Sequence, residues 1–168
     1  ADKSIRRRPG MVWPGASDSA TFEAGVEYRF CEGCFLLTGW RNDRTTLKVE
    51  GTPDRPVLFR SWRGALGRPG DWGYVGMLGG TTANSSLRHL VVRHAGADGA
   101  AALQLSVSAD VEGVRVEDSR AAPLDVGRTG EPEGVGNVFS RNGAAFEGDV
   151  PGFEYVNVAV GAEAEPQG

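Results

Sequence analysis

Thiols, imidazoles and long apolar runs are all scarce in this chain of 168 residues, and each shortage closes off a class of chemistry. A closed tetrahedral zinc site takes four Cys or His ligands. The chain has one Cys-x-x-Cys pair, Cys31 and Cys34, and two histidines, His89 and His94, whose spacing sends strand neighbours to opposite faces. No metal and no cofactor is expected. No apolar stretch approaches the roughly 18 residues that would cross a bilayer, so no membrane span is expected either. Ala1-Asp2-Lys3 lacks the apolar core of a leader, and a leader removed ahead of Ala1 stays open. Also missing are Gly-x-Ser-x-Gly, the phosphate-cradling Gly-x-x-x-x-Gly-Lys-Ser/Thr and the calcium loop Asp-x-Asp-x-Asp-Gly. Gly134-Val135-Gly136 has no third glycine at the dinucleotide spacing and leads into a strand-like run.

Positive charge is short as well. The net charge is −4, and the first ten residues hold Lys3, Arg6, Arg7 and Arg8 against Asp2, which leaves −7 for the rest. Binding a phosphate backbone needs a basic stripe over the folded surface, so no nucleic-acid partner is expected. The arginine run reads as a flexible end.

What the chain does have is glycine, 25 of them, with 9 prolines, spaced too closely for long helices but punctuating short β-rich pieces. These pieces repeat. Leu87-Leu90-Val92, Val111-Val114-Val116, Val135-Val138-Ser140 and Phe153-Val156-Val158 follow one another at offsets of 24, 24 and 18 residues. A period near 24 enclosing a period-2 apolar pair means stacked short strands. Further strands are read at Tyr28-Arg29-Phe30, Phe35-Leu36-Leu37, Leu47-Lys48-Val49, Val57-Leu58-Phe59, Leu103-Leu105 and Leu124-Val126, with a loop and one strand in Gly64 to Gly80. The fold class is all-β, a solenoid of short stacked strands. Its organisation is a tail or cap over residues 1–24, the coil over 25–160 and a flexible end over 161–168.

Stacking predicts columns of side chains about 4.8 Å apart. Leu90, Val114, Val138 and Val156 should form the core, and Val91, Arg115, Phe139 and Asn157 the outer face. Arg93-Glu117-Arg141 and Arg88-Glu112 should form charge ladders, and His94-Asp118-Asn142 a turn column.

Gly51-Thr52-Pro53-Asp54-Arg55-Pro56-Val57-Leu58-Phe59, then Pro69-Gly70-Asp71-Trp72-Gly73, then Leu87-Arg88-His89-Leu90-Val91-Val92-Arg93-His94-Ala95-Gly96 together resemble phrases of bacterial surface and secreted parallel β-helix proteins, the pectin lyase-like superfamily fold. The resemblance covers roughly residues 25–160 and departs at Tyr74, where a second glycine is common. It implies a right-handed parallel β-helix, three parallel sheets wound into a coil of about six to seven short turns, and an extracellular or cell-surface location. Such proteins include adhesins, polysaccharide-binding modules and polysaccharide-cleaving enzymes.

For this chain the resemblance favours a non-catalytic module binding carbohydrate or a surface protein. No aspartate pair or Gly-His-Gly signature of polysaccharide hydrolases is present, the outer column holds no carboxylate, and no catalytic residue is assigned. A lyase or glycoside hydrolase is the alternative, and an architectural coil that associates end to end is the second. Trp62, Trp72 and Tyr74 are the candidate ligand residues, because flat aromatic faces beside Arg and Asp suit sugar rings. Trp72 also has a structural reading, as a corner brace. Trp13 and Trp40 are expected to pack the first turns. Cys31 and Cys34 form a local disulfide if the protein is exported, and remain two thiols if it is not.

Overall fold

The structure, a computed structural model, describes residues 2–5, 19–42, 44–127, 132–144 and 152–155. Its strands are β1 (Asp2–Ile5), β2 (Ser19–Glu23), β3 (Glu27–Phe30), β4 (Leu36–Thr38), β5 (Thr46–Glu50), β6 (Val57–Ser61), β7 (Val75–Met77), β8 (Ser86–Arg88), β9 (Leu90–Arg93), β10 (Leu103–Leu105), β11 (Asp110–Glu112), β12 (Arg115–Glu117), β13 (Leu124–Val126), β14 (Glu133–Val135), β15 (Asn137–Ser140) and β16 (Phe153–Tyr155). They form three sheets, all with parallel pairing. The first has the order β1-β3-β6-β9-β12-β15-β16, the second β4-β7-β10-β13 and the third β2-β5-β8-β11-β14. The chain therefore visits the third, first and second sheets in that order, four times over, from β2 to β13. This all-β arrangement of parallel sheets is compatible with a parallel β-helix. The sheets also extend ahead of residue 25, since β1 pairs with β3 and β2 with β5.

Short strands follow from their corners. Between the third and first sheets the successive corner residues are His89, Gly113 and Gly136, with φ of 45°, 62° and 63°. Between the first and second sheets they are His94, Asp118 and Arg141, with φ of 66°, 53° and 52°. A left-handed residue every few positions redirects the chain before a strand can lengthen.

Inside, like stacks on like. Val49, Leu87 and Val111 run in register, as do Phe59, Val92, Val116 and Phe139, and all are buried. The early circuits are filled by aromatics instead. Phe59 meets Phe22, Tyr28 and Phe30 edge-on at centroid distances of 4.9, 5.7 and 5.2 Å, and Phe30 stacks on Trp72 at 4.2 Å. Burying one such side chain contributes roughly 1.5–3 kcal/mol, which explains how short strands with few local contacts hold together.

The expected register holds from β8 to β11 and from β9 to β12, then slips by one residue. Val116 pairs with Phe139, a step of 23, so Phe139 faces the core and Val138 faces out, the reverse of the expected columns. Likewise Val111 pairs with Gly134 and leaves Val135 70% exposed. Phe153 pairs with Asn137, placing it in the first sheet and not as the successor of Val135. The turn column is thus His94-Asp118-Arg141, without Asn142. Val156, Asn157, Val158, Trp13 and the ends at 6–18 and 161–168 lie outside the described residues. Trp40, expected to cap and pack the first turns, is 44% exposed and sits in the short turn between β4 and β5.

The slip has a device behind it. Asn137 and Asn142 are both fully buried, one at each end of β15. The Asn137 Oδ1 accepts from the Val114 amide at 2.9 Å, and its Nδ2 donates to the carbonyls of Val111 and Gly152. The Asn142 Oδ1 accepts from the Ser119 amide at 3.1 Å, and its Nδ2 donates to the Val116 carbonyl. Each amide side chain ties its own circuit to the backbone of the circuit before it, with oxygen and nitrogen both bonded.

Candidate functional site

The outer face of the second sheet carries the first group of candidates. Leu37, Gly76, Gln104 and Asp125 occupy successive outward positions in register on β4, β7, β10 and β13. Gly76 leaves a gap that Tyr74 and Leu37 fill: a Cβ there would stand 3.2 Å from a Tyr74 ring carbon and 2.6 Å from the Leu37 Cδ1. The Tyr74 ring therefore lies down on the sheet, and it stacks on Phe35 at 5.0 Å with only 8° between planes. Burial pushes the Tyr74 phenol above its ordinary value, so it stays a neutral hydroxyl. The result is a half-exposed aromatic shelf that ends in an amide at Gln104 and an exposed carboxylate at Asp125.

Trp62 belongs to a second place, the loop that leaves β6. It is 48% exposed, and the Arg63 guanidinium lies over its ring at 4.8 Å from the centroid. Trp72 differs from both. It is wholly buried, stacks on Phe30, and donates its indole N–H to the Arg93 carbonyl at 2.7 Å. It presents no face to a ligand and is the corner brace, so the three candidate aromatics have three different settings. Phe35, which sequence reasoning passed over, is the partner of Tyr74; its signal was its position one residue before β4, in line with Tyr74 before β7.

Cys31 and Cys34 are bonded to each other across the corner between β3 and β4, with Cα atoms 5.2 Å apart. The Cys34 amide donates to the Cys31 carbonyl, and the amides of Gly33 and Gly73 donate to Asp71 and Cys34 carbonyls, which fastens this corner to that of the next circuit.

The outer face of the first sheet is rich in arginine. Arg29 stands directly opposite Arg60, an arrangement of like charges that destabilises a ladder unless bridged. Glu27 bridges them: the Arg60 Nε and Nη2 donate to its two oxygens at 2.9 and 2.7 Å, and Arg29 donates to the first. Burial works to raise the Glu27 carboxyl, but these two arginines overcome it and hold it below the usual range. Further along, the Arg93 Nε donates to Glu117 at 2.8 Å, as the charge ladder requires, while Arg115 and Arg141 approach the same carboxylate at 3.7 and 3.5 Å. Arg141 makes a two-pronged pair with Asp118, and that hydrogen bonding is the main cause holding Asp118 below its ordinary value. Arg88 is in register with Glu112 but donates to Asp110 at 2.8 Å.

Between Arg88 and Asp110 and the loop at Ala83–Ser85 lies an open groove of about 410 Å³ on the third sheet, lined also by Lys48 and Glu50. Among the described residues no group of three or more His, Cys, Asp or Glu could hold a metal ion. No helix among them is long and apolar enough to cross a membrane. No family model matches the chain, and no curated protein or solved structure matches it. The fold and the surface thus define a class, an all-β protein of stacked parallel sheets, and nothing narrower.

Proposed function

We propose that this protein is a right-handed parallel β-helix, exported or displayed on a bacterial surface, acting as a non-catalytic module that binds carbohydrate. The hand follows from the strong preference of parallel crossovers for right-handed connections. The observation that carries the ligand class is the Phe35–Tyr74 shelf with Gln104 and Asp125 in register beside it. A sugar ring stacks its C–H face on an aromatic and hydrogen-bonds its hydroxyls to neighbouring amide and carboxylate groups. Glu27, Glu117 and Asp118, by contrast, are committed to arginines, which leaves them poorly placed to shuttle protons and favours binding over cleavage.

A glycan-array screen on the purified chain, with product analysis on the glycans it retains, tests the reading. Saturable retention without cleavage is expected, and Tyr74→Ala should weaken it about tenfold or more while still melting as a folded protein, at a somewhat lower temperature because the stack on Phe35 is lost. Cleavage would replace the reading with a polysaccharide lyase or glycoside hydrolase. Silence on every glycan would favour the architectural coil.

A further inference from the structure

Exposed large apolar side chains are few among the described residues, and two of them, Trp62 at 48% and Leu66 at 82%, project from one loop. That loop is not loose. Asp71 accepts from the Ser61 hydroxyl at 2.6 Å and from the Arg68 amide at 2.9 Å, and the Ser61 oxygen accepts from the Arg63 amide. The Gly67 amide closes a short 3₁₀ turn, Gly64–Leu66, onto the Gly64 carbonyl, and Gly70 donates to His94 and Ala95 carbonyls beneath. Gly67 itself lies against the His94 imidazole, where a Cβ would come within 2.2 Å of the Nδ1. The sequence therefore holds a tryptophan and a leucine out in water on a fixed scaffold.

Around them stand arginines. Arg63 and Arg68 are in the loop and exposed, and a Cβ at Gly64 would lie 3.4 Å from the Arg29 guanidinium carbon and 3.7 Å from Arg60 Nη2. Arg63 and Arg68 are the exposed arginines of the loop, with Arg63 3.7 Å from the Asp71 carboxylate, while Arg29 and Arg60 stand at its base paired with Glu27, on a chain whose net charge is −4. Electrostatics alone would suit any polyanion. Leu66 decides the matter, because an aliphatic side chain offers a sugar no stacking face and gains only by leaving water for hydrocarbon. Trp62 adds a ring of the kind that settles at the headgroup level of membranes, and arginines are drawn to anionic headgroups.

We propose that the loop from Trp62 to Gly70 is a docking tip for a lipid bilayer that carries anionic headgroups. The indole and Leu66 enter the interface while the exposed Arg63 and Arg68 meet the headgroup phosphates, and the stacked sheets stay outside the membrane. This tip is separate from the aromatic shelf proposed for carbohydrate.

The test is co-sedimentation of the full chain with phosphatidylglycerol/phosphatidylcholine vesicles and with phosphatidylcholine vesicles. Retention is expected on the first, falling as salt rises, with little on the second. Leu66→Glu and Trp62→Ala should each weaken it roughly tenfold or more. The double variant Arg63→Gln/Arg68→Gln should weaken it and flatten the salt dependence. All these positions are exposed, and circular dichroism melting verifies that each variant folds. Tyr74→Ala should be retained like the parent, so a failure of the carbohydrate reading is told apart from a failure of this one. Two results would overturn the proposal. One is protein left in the supernatant with both vesicles, as expected if the loop meets a glycan or a protein. The other is equal retention of all variants on anionic vesicles, which would move binding to Arg6, Arg7 and Arg8.

Discussion

At the scale of single residues, two buried asparagines and one buried histidine carry the most informative chemistry. Asn142 makes hydrogen bonds through both its oxygen and its nitrogen in a site closed to water, so Asn142→Ala leaves the Ser119 amide and the Val116 carbonyl without it. Urea unfolding should show a loss of about 2–3 kcal/mol. His94 is buried, with its Nδ1 lacking a hydrogen-bond partner. Burial is the main cause lowering its pKa, Arg93 and Arg60 add to it, and Asp118 and Asp71 oppose it. A folded pKa below the ordinary 6.5 means stability that is present above that value and lost as pH falls through it toward the depressed folded value. Stability measured from pH 7 down to pH 5 should therefore decline, and His94→Asn should decline less steeply. Asparagine suits the φ of 66° at this corner, so the variant tests the imidazole and not the backbone. A second, more acid loss comes from Glu27 and Asp118, whose lowered pKa values give stability present above about 4.5 and 3.8 and lost below.

At the scale of the strand and its corner, the repeat was legible where both partners are apolar. Val92 over Val116 and Leu87 over Val111 follow from a simple 24-residue offset. Beyond β12 the apolar pattern misleads, because polar Asn137 occupies an inward position next to Val114 while the apolar Val138 points out. A buried side-chain amide that bonds the backbone of the neighbouring circuit looks, in a sequence, like any surface asparagine. Of the candidate aromatics, the exposure of Trp62 and the corner-brace reading of Trp72 could be read from residue type and spacing; that Trp72 stacks on Phe30 could not, since it depends on how two corners stack. The corners also set which substitutions the strands tolerate. Gly39, at φ 71°, has the Thr81 amide nitrogen 2.3 Å from where a Cβ would sit, whereas Gly136, at φ 63°, has open space. Gly39→Ala should lower the melting temperature sharply, and Gly136→Asn should change it by little.

At the scale of the whole molecule, each strand draws its partners from the circuits before and after it, so stability should be graded along the stack and not uniform. Hydrogen exchange followed by mass spectrometry should find the slowest amides in β6, β9 and β12, which are paired on both sides, and faster exchange in β2 and β4, each paired on one side within its sheet among the described residues. Uniform exchange throughout would mean a single cooperative unit. The same pairing bears on what a break in the chain would do. A cut at the turn Ala97–Gly99 parts β9 from β10 in sequence, yet β7 still faces β10, β8 faces β11 and β9 faces β12. Every side of the severed molecule keeps a ladder across the cut, so nicked protein should travel as one body and its two fragments, made separately, should find each other and complement.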